Sequence, residues 1–151
     1  MIFVARDLGF APGVLGLIFA TGGVGSLVGA TLTPFLGRRF SSGGAMLLGL
    51  SVCALGALCI PFAPGATIVG TGLLMAHQVL GDAGHTVYDV QDRTLRQTAV
   101  PPEFLARVDA GIRTLGQLAT LVGAVGGGAL ATVFGTRHVL ALSAALLAGA
   151  A

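Results

Sequence analysis

Six polar side chains recur along one stretch of the chain: Gln78, Asp82, His85, Asp89, Asp92 and Arg96. The steps between them are four, three, four, three and four residues, so on a helix they fall on one face. Ionisable groups in an otherwise apolar helix are costly and face a partner or a polar cavity. Three chemistries suit such a stripe. It can be a polar contact or gate between helices. It can be a proton-coupling site, in which Asp82, His85 and Asp89 pass a proton. It can be a metal site built from His77, Asp82, His85 and Asp89, although His77 lies off the stripe and no spaced Cys/His ligand set accompanies it. The expectation is therefore no bound metal and no cofactor. Past the stripe, Asp92, Arg93, Arg96 and Gln97 precede Arg107, Asp109 and Arg113. The spacing allows i,i+4 pairs Asp89–Arg93 and Asp92–Arg96, or a lock between two helices that closes one side and breaks on opening.

The elements that must hold these residues are read from composition. Of 151 residues 54% are hydrophobic and 9% charged, against about 25% charged in an ordinary soluble domain. A soluble fold of this size needs a charged coat that these residues cannot supply. Every positive side chain is Arg. Residues 8–37, 40–76 and 114–136 contain no Asp, Glu, Lys, Arg or His. A membrane span takes about 20 apolar residues, and the second run is interrupted at Pro61-Phe62-Ala63-Pro64-Gly65, a turn. The reading is all-α: a single polytopic transmembrane domain over residues 1–151, with about five membrane-spanning helices near 12–36, 43–61, 66–98, 102–134 and 137–151. Cys53 and Cys59 fall on different faces of one helix, about 9 Å apart, too far for a disulfide. They read as packing residues.

Arginine placement sets the orientation. Arg38, Arg39, Arg93, Arg96 and Arg107 fall on one side, and Arg6 and Arg137 on the other. The positive-inside rule makes the first side cytoplasmic. The tail Met1–Gly9 then begins outside, as the end of a preceding helix would, and the last helix lacks a closing charge, so both ends look cut. Gly25 with Gly29 and Gly123 with Gly127 are small-xxx-small pairs. They suit close helix packing or a surface on which helices slide.

From Thr86 to Arg137 the pattern becomes specific. It reads Thr86-Val-Tyr-Asp-Val-Gln-Asp-Arg-Thr-Leu-Arg-Gln97, then Val100-Pro-Pro-Glu-Phe-Leu-Ala-Arg-Val-Asp-Ala110 with Arg113, then Gly123-Ala-Val-Gly-Gly-Gly128 and Phe134-Gly-Thr-Arg137. This resembles the end of helix 10, the cytoplasmic loop and helix 11 of major facilitator superfamily transporters, in particular bacterial enterobactin-exporter-like and macrolide-efflux-like permeases. Gln91, Leu95, Arg96, Gln97, Pro101, Leu105, Arg107, Val108, Ala110 and Arg113 match that pattern. Asp89 and Asp109 stand where Asn is usual, and Ala106 where Gly is usual. Gly29 to Arg39, with Arg38 and Arg39, is similar to a degenerate copy of the family's loop motif, with Pro34 in place of its acidic residue. The resemblance implies helices 8 to 12 of a twelve-helix protein, a partial major-facilitator fold whose N-terminal half is missing. It implies a multi-pass protein of the bacterial inner membrane that moves a small molecule by alternating access, with proton-coupled efflux as the expected activity.

Other classes fare less well. No Ser/His/Asp constellation or Gly-Lys phosphate loop points to an enzyme, and the arginines are too few and dispersed for nucleic acid. The expected partners are the lipid bilayer, a small-molecule substrate and the missing half. A small helical membrane scaffold without transport of its own is the rival reading, and a metal-dependent intramembrane enzyme a weaker one.

Overall fold

The computed structural model describes residues 11–150, and these form five helices: α1 Pro12–Arg39, α2 Ser42–Leu58, α3 Ile68–Ala99, α4 Pro102–Phe134 and α5 Thr136–Ala150. The expected outer position of Arg6 and of the tail 1–9 lies outside the described residues.

Local chemistry sets the boundaries. Proline at the first helical positions opens α1 and α4, where a missing N–H costs nothing. Ser41 Oγ accepts from the Gly44 amide at 3.2 Å and Thr67 Oγ1 from the Gly70 amide at 3.1 Å, capping α2 and α3. Helix α2 stops at Leu58, three residues before the expected end at Pro61. Ile60 precedes a proline and is disfavoured in the α conformation. The chain there tightens into i→i−3 bonds, Cys59 N to Gly56 O at 3.0 Å and Ile60 N to Ala57 O at 3.3 Å. Gly65 (φ +107°) turns the chain into α3, and Gly135 (φ +83°) ends α4. Gly29 to Arg39, expected as a loop motif, lies wholly within α1, and the connection to α2 is only Phe40 and Ser41.

Helix α3 is the centre of the bundle. Its contacts with α1 rise together in number: Gly22 with Gln78, Gly25 with Val79, Gly29 with Ala83 and Gly37 with Gln91. The two helices therefore run parallel. Contacts with α2 run the other way, Gly49 with Gly84 and Gly56 with His77, so α2 is antiparallel. The approach is backbone to backbone. A Cβ on Gly25 would stand 2.8 Å from Val79 Cα, and one on Gly49 would stand 2.6 Å from Gly84 O. Glycine on both sides of α3 is what lets three helices pack this closely. Cys53, on the α2 side, donates its thiol to Gly81 O at 3.2 Å.

This topology gathers the arginines. The C-terminal ends of α1 and α3 and the N-terminal end of α4 share one end of the bundle, carrying Arg38, Arg39, Arg93, Arg96, Arg107 and Arg113. At the opposite end Ile18, Ala63 and Leu74 form a small apolar core with Leu15, Ile60, Met75 and Leu140 packed on it. Helix α5 packs on α2 and α4. Helix α4 has no buried residue and meets α3 only slightly. By length and composition α1 and α4 are long and apolar enough to cross a membrane, and α2 is a shorter apolar helix. The outward side chains of the two long helices are apolar, for example Leu27, Leu121 and Val125, each more than half exposed.

Candidate functional site

The polar stripe of α3 divides between two places. Its first part lies in the seam with α1. Asp82 is half-buried, and its carboxylate occupies the room left by the bare backbone of Gly22. A Cβ on Gly22 would strike Asp82 Oδ2 and stand 3.3 Å from Gln78 Nε2. Among the described residues Asp82 has no ion-pair partner. The seam ends at Gln91, which is buried and donates from Nε2 to Thr33 O at a long 3.5 Å. Thr33 Oγ1 in turn donates back to Gly29 O at 2.7 Å. Gln91 continues the buried face of Gly84 and Val87 at steps of three and four. That continuity is the sequence signal that marks it as a seam residue.

The second part lies at the arginine end, in a cleft of about 410 Å³ between α3 and α4. Asp92, Arg93, Arg96, Gln97, Asp109 and Arg113 all line it, with Asp89, Tyr88, Leu105 and Ile112. Arg96 is the link between the helices. Its Nη1 donates to Asp109 Oδ1 on α4 at 2.7 Å, and its Nη2 donates to Asp92 one turn back on α3. The Arg96 side chain is 19% exposed and Asp109 54%, and Arg96 Nε is buried without a hydrogen-bond partner among the described residues.

The remaining expected site residues are placed as follows. Asp89 turns back to His85, with Nε2 3.6 Å from Oδ2, rather than forward to Arg93. His85 is exposed, so the stripe brings His85 to Asp89 and not to Asp82. Arg93, Arg107 and Arg113 form no ion pair among the described residues, and Arg107 does not line the cleft. Arg38 and Arg39 line a separate open pocket with Phe35 and Phe40. Gly25 and Gly29 are buried in the α1–α3 seam, whereas Gly123 and Gly127 meet nothing within 4 Å. Among the described residues no three His, Cys, Asp or Glu side chains converge as metal ligands would. His77 Nδ1 is buried without a partner there.

The arrangement is a helical bundle with an apolar exterior, a carboxylate held in a glycine-lined seam and a charged link at one end. Neither a family model nor a solved structure matches the sequence. It is similar to an uncharacterized MFS-type transporter of Bacillus subtilis, YfiS, with 32% identity over 155 residues. The match takes in 97% of this chain and 35% of that protein. The chain thus spans about a third of the length of this relative, and with its apolar helices it stands in a partial, distant relation to MFS-type membrane transporters.

Proposed function

We propose that this chain supplies the second-half bundle of a secondary transporter, acting with helices equivalent to the rest of the relative's length. Five spans cross a bacterial inner membrane with the arginine end in the cytoplasm. Alternating access then exports a small molecule against protons, with Asp82 as the carrier in the seam.

The observation that carries the reading is the Asp92–Arg96–Asp109 link. It joins two helices that otherwise hardly touch. A bridge to a carboxylate as exposed as Asp109 is worth about 0.2–1 kcal/mol. Such a contact can break and reform in each cycle without unpacking apolar surface, which is what a cytoplasmic gate requires. The glycine seams support the same reading, since smooth surfaces permit helices to shift against each other.

The test uses everted vesicles from cells expressing the full-length protein, loaded by a proton gradient and offered cationic, neutral and anionic fluorescent dyes. Proton-driven accumulation of at least one dye is expected, reduced by Arg96→Gln at equal expression by up to about fivefold, the rate equivalent of about 1 kcal/mol. Equal dye handling with and without the protein across all three classes would sink the reading.

A further inference from the structure

We infer that the cleft between α3 and α4 holds the phosphate of an anionic phospholipid, bound by Arg93 and Arg113. This rests on α4 lying in lipid, not on the chain's taking part in transport.

The argument is one of unmatched charge. Three carboxylates and three guanidinium groups line the cleft. Asp92 and Asp109 are both taken by Arg96, and Asp89 turns to His85. That leaves Arg93 on α3 and Arg113 on α4 facing one cleft with no carboxylate of their own among the described residues. Guanidinium groups are well matched to phosphate oxygens, which they bind in a fork. The wider field has the same sign, because this end of the bundle carries six arginines against Asp89, Asp92, Glu103 and Asp109. The charges lining the cleft cancel in sum, but this end as a whole keeps an excess of two positive charges, which favours an anion near the two unpaired guanidinium groups.

The lipid as source, rather than free phosphate, follows from what surrounds the two cations. Leu105 and Ile112 form an apolar wall in the cleft. Beyond Arg113, α4 continues through Thr114 to Phe134 without a charge and without a buried residue. A headgroup at Arg93 and Arg113 puts its acyl chains along that face. Basic pockets between membrane helices take anionic headgroups in this way. The phosphate then forms a second link between α3 and α4, beside Arg96.

The chain is purified in mild detergent, equilibrated with mixed micelles of phosphatidylglycerol or phosphatidylcholine, and repurified. Bound lipid per protein is then measured by native mass spectrometry. Flotation with vesicles checks separately that the chain enters lipid. Phosphatidylglycerol should be retained at least fivefold over phosphatidylcholine. Arg93→Gln/Arg113→Gln should cut retention at least fivefold, and Arg38→Gln/Arg39→Gln, with the same loss of charge, less than twofold. Should the first double variant lose its helical circular dichroism, Arg93→Gln and Arg113→Gln are measured singly, each expected to lower retention at least threefold. Equal loss in both double variants, equal retention of phosphatidylcholine, or displacement by 10 mM inorganic phosphate would each overturn the assignment.

Discussion

Replacing Gly84 by alanine tests whether the α2–α3 seam rests on bare backbone. The new Cβ would stand 2.9 Å from Cys53 Sγ and 3.0 Å from Cys53 N, and closer still to Gly49 O. Non-bonded carbon contacts are comfortable at about 3.5–4.0 Å, so the helices must part by about 0.5–1 Å. A gap of that size forfeits about a quarter to a half of the dispersion energy along the seam, and overpacking of this kind costs about 1–3 kcal/mol. Alanine is also the better helix former by about 0.8–1 kcal/mol, which works the other way. Gly123→Ala removes that complication. Gly123 lies in the interior of an exposed helix with nothing within 4 Å, so it keeps the propensity gain and has no seam to disturb. The difference between the two variants is then the seam alone, about 1–3 kcal/mol, or about 5- to 150-fold in the folded-to-unfolded ratio. Unfolding the chain in mixed micelles with increasing sodium dodecyl sulfate, followed by circular dichroism and by labelling of Cys53, gives both free energies. Two variants within 0.5 kcal/mol of each other would refute the backbone-contact account of how α3 is held.

Three further outcomes follow from the same geometry. Gly22→Ala should cost less than about 1 kcal/mol in that titration while Gly25→Ala costs about 1–3, because the Gly22 Cβ meets the movable end of Asp82 and the Gly25 Cβ meets the Val79 backbone. On the proposed transport reading, Asp82→Asn should abolish pH-driven flux and spare substrate binding, since an amide keeps the size but releases no proton; normal flux with normal pH dependence would remove Asp82 from the proposed coupling. In a Cys53→Ala/Cys59→Ala background, Ser41→Cys should react with an impermeant maleimide from the cytoplasmic side and Phe62→Cys from the outside. Reversed labelling would overturn the orientation.

The five described helices lie close to the segments that long charge-free runs and prolines delimit, signals that need no help from tertiary packing. Sequence periodicity also placed the α3 stripe, since steps of three and four residues determine a helical face wherever the helix sits. What it could not supply was the neighbour each residue meets. Gly25–Gly29 and Gly123–Gly127 are the same pattern, yet the first pair is buried against α3 and the second meets nothing among the described residues. Gly49 and Gly84 press together with no small-xxx-small pair to announce them, because the next glycine of α2 in that seam, Gly56, lies seven residues on. Asp89 had two partners at the same spacing, His85 behind and Arg93 ahead, and sequence distance alone does not choose between them. A lock between the Asp92–Arg96 region and Arg107, Asp109 and Arg113 was one of two readings of those charges, but which pair forms it, Arg96 with Asp109, depends on the turn at Val100–Pro101.

The parallel pairing of α1 with α3 also has a kinetic side. Helix α2 can fold back on α3 as a neighbouring hairpin, but the glycine face of α1 fits a helix made much later. Gly29 meets Ala83, which is 54 positions further along the chain. At a synthesis rate of about 5–20 residues per second, α1 waits roughly 3–11 s for its partner. During that interval a strip without side chains faces whatever the translocation machinery or the bilayer presents. Variants that slow elongation between α2 and α3 should therefore raise the yield of misassembled chain without altering the stability of the finished bundle.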